Sequence, residues 1–368
     1  MSRAKILHVS QDFKLESGAV LKGFDIAYHT YGNLNKNADN VVWICHALTA
    51  NSDVVDWWPG LVGAGKVVDT EKYFVVCANI IGSCYGSVGP QEVNPKTGRP
   101  YGKDFPLITI RDMVSAHILL REHLKISNIR LAIGGSLGGQ QVLEWAIMEP
   151  KVLTQICVLA TNAQHSPWGI AFNEAQRMAI EADPTLYEDH EAAGQAGLAA
   201  ARAIAMLSYR SYMTYQSTQA EVDDRKREGF LASSYQRYQG KKLVERFNVL
   251  SYLWLSRAMD SHNLGRHRKS IPEALRTIQA RALVIGIRTD VLFPIEEQAF
   301  LTTYIPRSRL EIIDSLYGHD GFLVETEVIG ALLKPFLAGK SLLNSKEAQK
   351  LVKGRLHADS AIPGSETF

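Results

Sequence analysis

Charge of one sign is not in excess here: 40 Lys and Arg stand against 38 Asp and Glu, leaving a formal net charge of +2 over 368 residues. No face is forced to be basic, so nothing calls for a nucleic-acid partner. The short clusters Arg225-Lys226-Arg227 and Arg266-His267-Arg268-Lys269 read as solvated helix faces or loops. Cysteine is scarce. The four present (Cys45, Cys77, Cys84 and Cys157) form no CxxC pair and have no zinc-ligand spacing, so no metal site is expected. Cys45, Cys77 and Cys157 lie in apolar runs, as small core hydrophobes do. No run approaches the roughly 18 uninterrupted apolar residues of a membrane span. Met1 to Ser10 lacks the apolar segment of a secretory signal. A soluble cytoplasmic protein is the expectation. Internal repeats and low-complexity tracts are missing. So is a glycine loop of the nucleotide-cradling type.

What is present is enough apolar content, 46%, for one large core plus a smaller unit. Residues 13 to 31 alternate and turn, which predicts an antiparallel hairpin at a sheet edge. Nearly continuous apolar runs follow: Val41 to Cys45, Tyr73 to Cys77, Leu131 to Ile133, Ile156 to Ala160, Ala282 to Ile287 and Leu310 to Ile313. Such runs suit strands buried on both faces of a parallel sheet. Helical patterns at Ile110 to Leu124 and Gln140 to Met148 separate several of them, which predicts an α/β fold. From about 163 to 275 the strand signal stops. Helix-like segments replace it at Asn173 to Ala182, Gln195 to Ser208, Gly229 to Tyr238 and Leu243 to Arg257. The predicted layout is a core of residues 1–162 and 276–340, a helical lid insertion at 163–275 and a tail at 341–368.

The chemistry concentrates at Gly134-Gly135-Ser136-Leu137-Gly138, a glycine-flanked serine between a short strand and a helix. That is the setting of a nucleophile on a strained strand-to-helix turn, where neighbouring side chains would clash. The backbone N–H of Leu137 would then face a developing oxyanion at a helix N-terminus. A serine hydroxyl needs a base, and the base an orienting carboxylate. On an α/β-hydrolase fold these follow in the order Ser, acid, His. Asp290 lies just past the strand Ala282 to Ile287, and His319 in a glycine-flanked loop after Leu310 to Ile313. Asp314 is a weaker candidate for the acid because it lies so near His319 in the chain. His8, His29, His117, His123, His190 and His357 have no comparable placement and read as surface or structural. The second oxyanion donor is expected in His46-Ala47-Leu48-Thr49, at the N–H of Leu48. A base of this kind predicts an acid limb near histidine's reference pKa of about 6.5.

Several stretches together resemble the homoserine O-acetyltransferase family. They are Cys45-His46-Ala47-Leu48-Thr49, Trp57-Trp58-Pro59-Gly60-Leu61-Val62-Gly63, Gly82-Ser83-Cys84-Tyr85-Gly86-Ser87-Val88-Gly89-Pro90, Asn94-Pro95, the Ser136 elbow and Gly318-His319-Asp320-Gly321-Phe322-Leu323. Within the helical block, Phe172-Asn173-Glu174, Arg202, Met206, Tyr209-Arg210-Ser211 and Tyr238-Gln239-Gly240 also match. The resemblance implies an α/β-hydrolase fold and a ping-pong transfer of acetyl from acetyl-CoA, through Ser136, to L-homoserine, in methionine biosynthesis. It implies no metal or prosthetic group, and a homodimer paired through the lid helices. It assigns Arg202 to the homoserine carboxylate and Asp320 to the amino acid's polar end. Tyr209, seven residues after Arg202, falls on the same helix face. The family often has a threonine where this chain has Val88, which bears on the acyl or CoA site or is a packing swap. A succinyl donor, a serine acceptor, or water as acceptor on the same triad remain open alternatives.

Overall fold

The computed structural model describes residues 3–340. The expected tail at 341–368, and His357 within it, lie outside the described residues.

Eight strands build the main sheet: β1 (Lys5–Val9), β2 (Phe24–Tyr31), β3 (Val41–Cys45), β4 (Phe74–Ala78), β5 (Ile129–Gly135), β6 (Leu153–Leu159), β7 (Arg281–Ile287) and β8 (Ser308–Ile313). Their spatial order is β1-β2-β4-β3-β5-β6-β7-β8. The pairs β1–β2 and β2–β4 are antiparallel, and every later pair is parallel. The chain crosses between parallel strands by α1 (Ile110–His123), α2 (Leu137–Met148), a block of five helices, and a helix at Ile295–Tyr304. The block comprises α3 (Pro167–Glu181), α4 (Gln195–Tyr209), α5 (Tyr212–Gln219), α6 (Leu231–Val244) and α7 (Val249–Asp260). After it come α8 (Ile271–Arg276), α9 (Ile295–Tyr304) and the final described helix α10 (Thr326–Leu337).

The apolar runs form strands because both faces of the sheet are covered. Trp43, Val76, Ala132, Ile156 and Val284 enter one core cluster with residues of α1, α2, α9 and the helical block. Their neighbours Ile44, Cys77, Ile133, Cys157 and Leu283 enter the opposite cluster under α10. Alternation of side chains along a strand thus puts apolar groups on both sides, and no polar period survives in the sequence. Local signals set the helix starts. Thr109 caps α1 by accepting from the Asp112 N–H, while Asp112 accepts from the Thr109 N–H at 2.9 Å, a reciprocal capping box.

The edge differs from expectation. Residues 13 to 31 do not make one hairpin. Phe13–Lys14 and Val20–Leu21 form a separate two-residue ladder, and β2 instead pairs with β1, a strand that the sequence pattern does not show. Ile6 and His8 of β1 are exposed, so an edge strand with one covered face carries too few apolar residues to stand out. Helix α5, polar along most of its length, is also absent from the sequence reading. The basic clusters are not simply solvated. Arg266 bonds Glu16 at 2.8 Å and Arg268 bonds Glu144, tying the 263–269 loop to the N-terminal ladder and α2. Lys226 pairs with Glu221 at 3.0 Å.

Candidate active site

Parallel strands deliver their following loops to one edge of the sheet, and Leu48, Ser136, Asp290 and His319 each follow such a strand. Gly135 is in register with Leu159, and Leu159 with Ile285. Ser136 therefore leaves β5 at the same level as the ends of β6 and β7. Its backbone is at φ 57°, ψ −126°, a strained conformation for a residue with a Cβ. Surrounding bonds hold it there. The Ser136 N–H donates to the Leu159 carbonyl at 2.9 Å, and the Thr161 hydroxyl donates to the Ser136 carbonyl at 2.8 Å. The flanking glycines are needed for close approach. A Cβ on Gly138 would collide with the Cys45 carbonyl, and one on Gly135 with the Phe322 ring.

His319 is buried in a short 3-10 turn after β8. Its Nδ1 lies 2.7 Å from Asp290 Oδ2. The other Asp290 oxygen accepts from the Leu292 and Phe293 N–H groups at 2.8 and 2.9 Å. An acceptor-only carboxylate fixes the proton on Nδ1 and leaves Nε2 as the basic atom. Burial works against the imidazolium, but the charge and hydrogen bond of Asp290, together with the charge of Asp320, outweigh it. The His319 pKa is raised above its ordinary value. Asp314 is elsewhere, on the surface against Arg288 at 2.6 Å. Rings enclose the imidazole: Phe293 stacks at 5.1 Å, Phe322 meets it edge-on at 5.4 Å and Tyr209 lies at 5.7 Å. Phe322 thus touches both His319 and the backbone next to Ser136. The Trp58 indole N–H donates to the Phe322 carbonyl at 3.2 Å, which gives the tandem-tryptophan motif a task in holding this loop.

Leu137 opens α2, where the first N–H groups have no acceptor within the helix. The loop carrying Leu48 abuts that helix start: Gln141 of α2 donates to the His46 carbonyl at 3.2 Å. His46, to which its motif assigns no task of its own, fixes the loop. Its Nδ1 lies 2.8 Å from the Ala47 carbonyl, and its Nε2 accepts from the Ile80 N–H at 3.1 Å. Burial lowers its pKa to about 4, so it stays neutral and keeps both bonds. Val88 is 3% exposed inside the larger core cluster, which fits a packing swap. His29 and His117 are buried against Ser52 and Gln141. His8 and His190 are surface partners of Asp25 and Glu188.

Arg202 and Tyr209 do share a face of α4, with the guanidinium 5.3 Å from the ring centre. Among the described residues no ion pair engages Arg202. Asp320, by contrast, has a partner that sequence did not reveal: Arg210, at 3.3 Å. Glu297 was also missed. It lies in the first turn of α9 near Asn162, Ser166 and Asp290. Burial, with the Asp290 charge adding to it, pushes its carboxyl up to about 7 against the nearby polar groups of Asn162 and Ser166. No sequence signal marks it, because Asn162 and Ser166 lie far away in the chain. Among the described residues no group of three or more His, Cys, Asp or Glu is placed to hold a metal, and no helix is long and apolar enough to cross a membrane.

Sheet order, strained serine turn and buried His–Asp pair define a protein of the α/β hydrolase fold, and the model of that fold matches residues 40–326. A homoserine O-acetyltransferase of Cyclobacterium marinum is 48% identical over 90% of this chain and 94% of its own. One from Trichormus variabilis is 45% identical over 91% and 94%. The crystal structure of homoserine O-acetyltransferase from Bacillus anthracis superposes with a TM-score of 0.85 at 23% identity, over 93% of this chain and 100% of its own. The chain belongs to the homoserine O-acetyltransferase family.

Proposed function

We propose that this protein moves an acetyl group from acetyl-CoA to the hydroxyl of L-homoserine by a ping-pong route, giving O-acetyl-L-homoserine for methionine biosynthesis. Ser136 Oγ attacks the thioester carbon as His319 Nε2 takes the hydroxyl proton. The C–S bond breaks, and His319 returns that proton to the leaving sulfur. The homoserine hydroxyl then gives its proton to His319 and attacks the acyl-enzyme, and Ser136 recovers the proton as it leaves. The N–H groups of Leu48 and Leu137 receive the oxyanion in both halves, while Asp290 holds the imidazole and stabilises its charged form. No metal or prosthetic group has a step in this scheme; acetyl-CoA is a substrate.

The observation that carries an amino-acid acceptor is Arg202. Arg202 is half-buried, its guanidinium has no ion-pair partner among the described residues, and it stacks on a tyrosine that in turn touches His319. A cation there suits a carboxylate, with Asp320 for the ammonium. The exposed apolar side chains of Leu207, Tyr212 and Met213 on α4 and α5 support a homodimer paired through the lid. Four unpaired cysteines fit the cytoplasm. The test is thiol release with acetyl-CoA or succinyl-CoA, each with L-homoserine, L-serine or no acceptor. Fast release only with acetyl-CoA plus L-homoserine is expected. Release without acceptor would make the protein a hydrolase, and preference for succinyl-CoA or serine would reassign a substrate.

A further inference from the structure

The helical block does more than cover the site. The loop bearing His319 is held on two sides. From the core, the Thr289 hydroxyl donates to the Ser315 carbonyl at 2.7 Å. From the lid, the hydroxyls of Ser211 and Thr214 both donate to the next carbonyl, that of Leu316. Two lone pairs on one carbonyl oxygen admit two donors. Ser211 is also the N-cap of α5, accepting from the Thr214 N–H at 3.1 Å, so the start of that helix and the loop are fastened at one point. Both side chains are buried.

The backbones meet there as well. Gly318 is at φ +61°, and a Cβ on it would lie 2.9 Å from the Ser211 nitrogen and 3.1 Å from the Tyr209 carbonyl. The ion pair of Arg210 with Asp320 closes the far side of the loop. Leu316 lies three residues before His319, too short a span to absorb a displacement without moving the imidazole.

We infer that Ser211 and Thr214 are positioning residues for His319, through their joint grip on the Leu316 carbonyl. The inference rests on the reading of Ser136 and His319 given above. The lid thereby becomes part of the general-base machinery, and loosening it degrades chemistry before it affects binding. The titratable groups around His319 are Asp290, Asp320, His165 and Tyr209. The Asp290 contact is the one that a shifted loop would weaken.

The experiment compares the wild type with Ser211→Ala/Thr214→Val, using p-nitrophenyl acetate to read acylation and acetyl-CoA with L-homoserine to read transfer. Expected is a loss of roughly tenfold or more in both rates, the scale of a sub-ångström to ångström misplacement, with little change in KM for homoserine. The acid-limb midpoint should also move down toward the ordinary value of 6.5. Thr214→Ser, which keeps the hydroxyl, should act like the wild type, whereas Thr214→Val should not. A folded double variant with unchanged rates and midpoint would overturn the inference. If the double variant does not fold, equal kcat and midpoint for Thr214→Val and Thr214→Ser would overturn it. Ser136→Ala is the separate control: retained acyl transfer in that variant would defeat the reading of the site itself, whatever the clasp does.

Discussion

On the proposed mechanism the Ser136 hydroxyl carries the acyl group, so Ser136→Ala should lower kcat by at least about 10⁴-fold with the fold intact by circular dichroism. Asp290→Asn should cost a similar factor of about 10⁴, because an amide can no longer dictate the His319 tautomer. The pH dependence has a definite sign. In the proposed mechanism His319 works in its neutral form, and its pKa is raised, so at a given pH near neutrality more of it is protonated than of a free histidine. Activity should therefore fall as pH drops through a midpoint above 6.5, higher than the sequence alone predicts. A kcat/KM profile with its midpoint at or below 6.5 would contradict the Asp290 coupling. The same shift stabilises the folded protein most at acid pH, and that contribution fades as pH rises through the folded pKa. Arg202→Ala should raise KM for the amino acid by about 10–100-fold, as loss of a charged contact does. It should leave acylation by p-nitrophenyl acetate nearly unchanged.

At the scale of elements, the Ser136 turn is the tightest point. Gly138→Ala puts a methyl against the Cys45 carbonyl, where backbone faces backbone and neither can rotate away. A stability loss of about 1–3 kcal/mol is expected, measured by urea denaturation, together with loss of activity as the oxyanion donors proposed at Leu48 and Leu137 separate. The buried strands were legible in sequence because apolar residues on both faces leave unbroken runs, as from Ala282 to Ile287. Strand β1 was not, because one of its faces meets solvent. The Ser136 turn and the His319 loop were legible from their glycines, whose close approaches now have named partners. The grip of Ser211 and Thr214 on Leu316 was not, nor was the pairing of Arg210 with Asp320. Each joins residues more than a hundred positions apart through one short hydrogen bond or ion pair, and no periodicity records such a contact.

For the whole molecule, the helical block is joined to both sides of the site. Arg246, just past α6, donates to the Thr49 carbonyl at 2.6 Å, one residue after Leu48, while Ser211 and Thr214 reach the His319 loop. Helical block and sheet core should consequently unfold together rather than as separate units, giving coincident transitions by tryptophan fluorescence and far-UV circular dichroism. The outward side chains of Leu207, Tyr212 and Met213 are 57%, 74% and 51% exposed. If two copies pair through them, Leu207→Asp/Met213→Asp should yield a monomer in sedimentation velocity where the wild type sediments as a dimer. A wild-type monomer at micromolar concentration would count against that pairing.

The covalent acyl-enzyme on Ser136 is the claim on which the rest depends, and intact-mass spectrometry reads it directly. Incubation with acetyl-CoA alone should add the mass of one acetyl group, mapped by peptide analysis to Ser136 and absent in Ser136→Ala. Adding L-homoserine should discharge it, with O-acetyl-L-homoserine appearing in equal amount. A protein that turns over both substrates while no acetyl is ever found on Ser136, even after rapid acid quench, would contradict the ping-pong account.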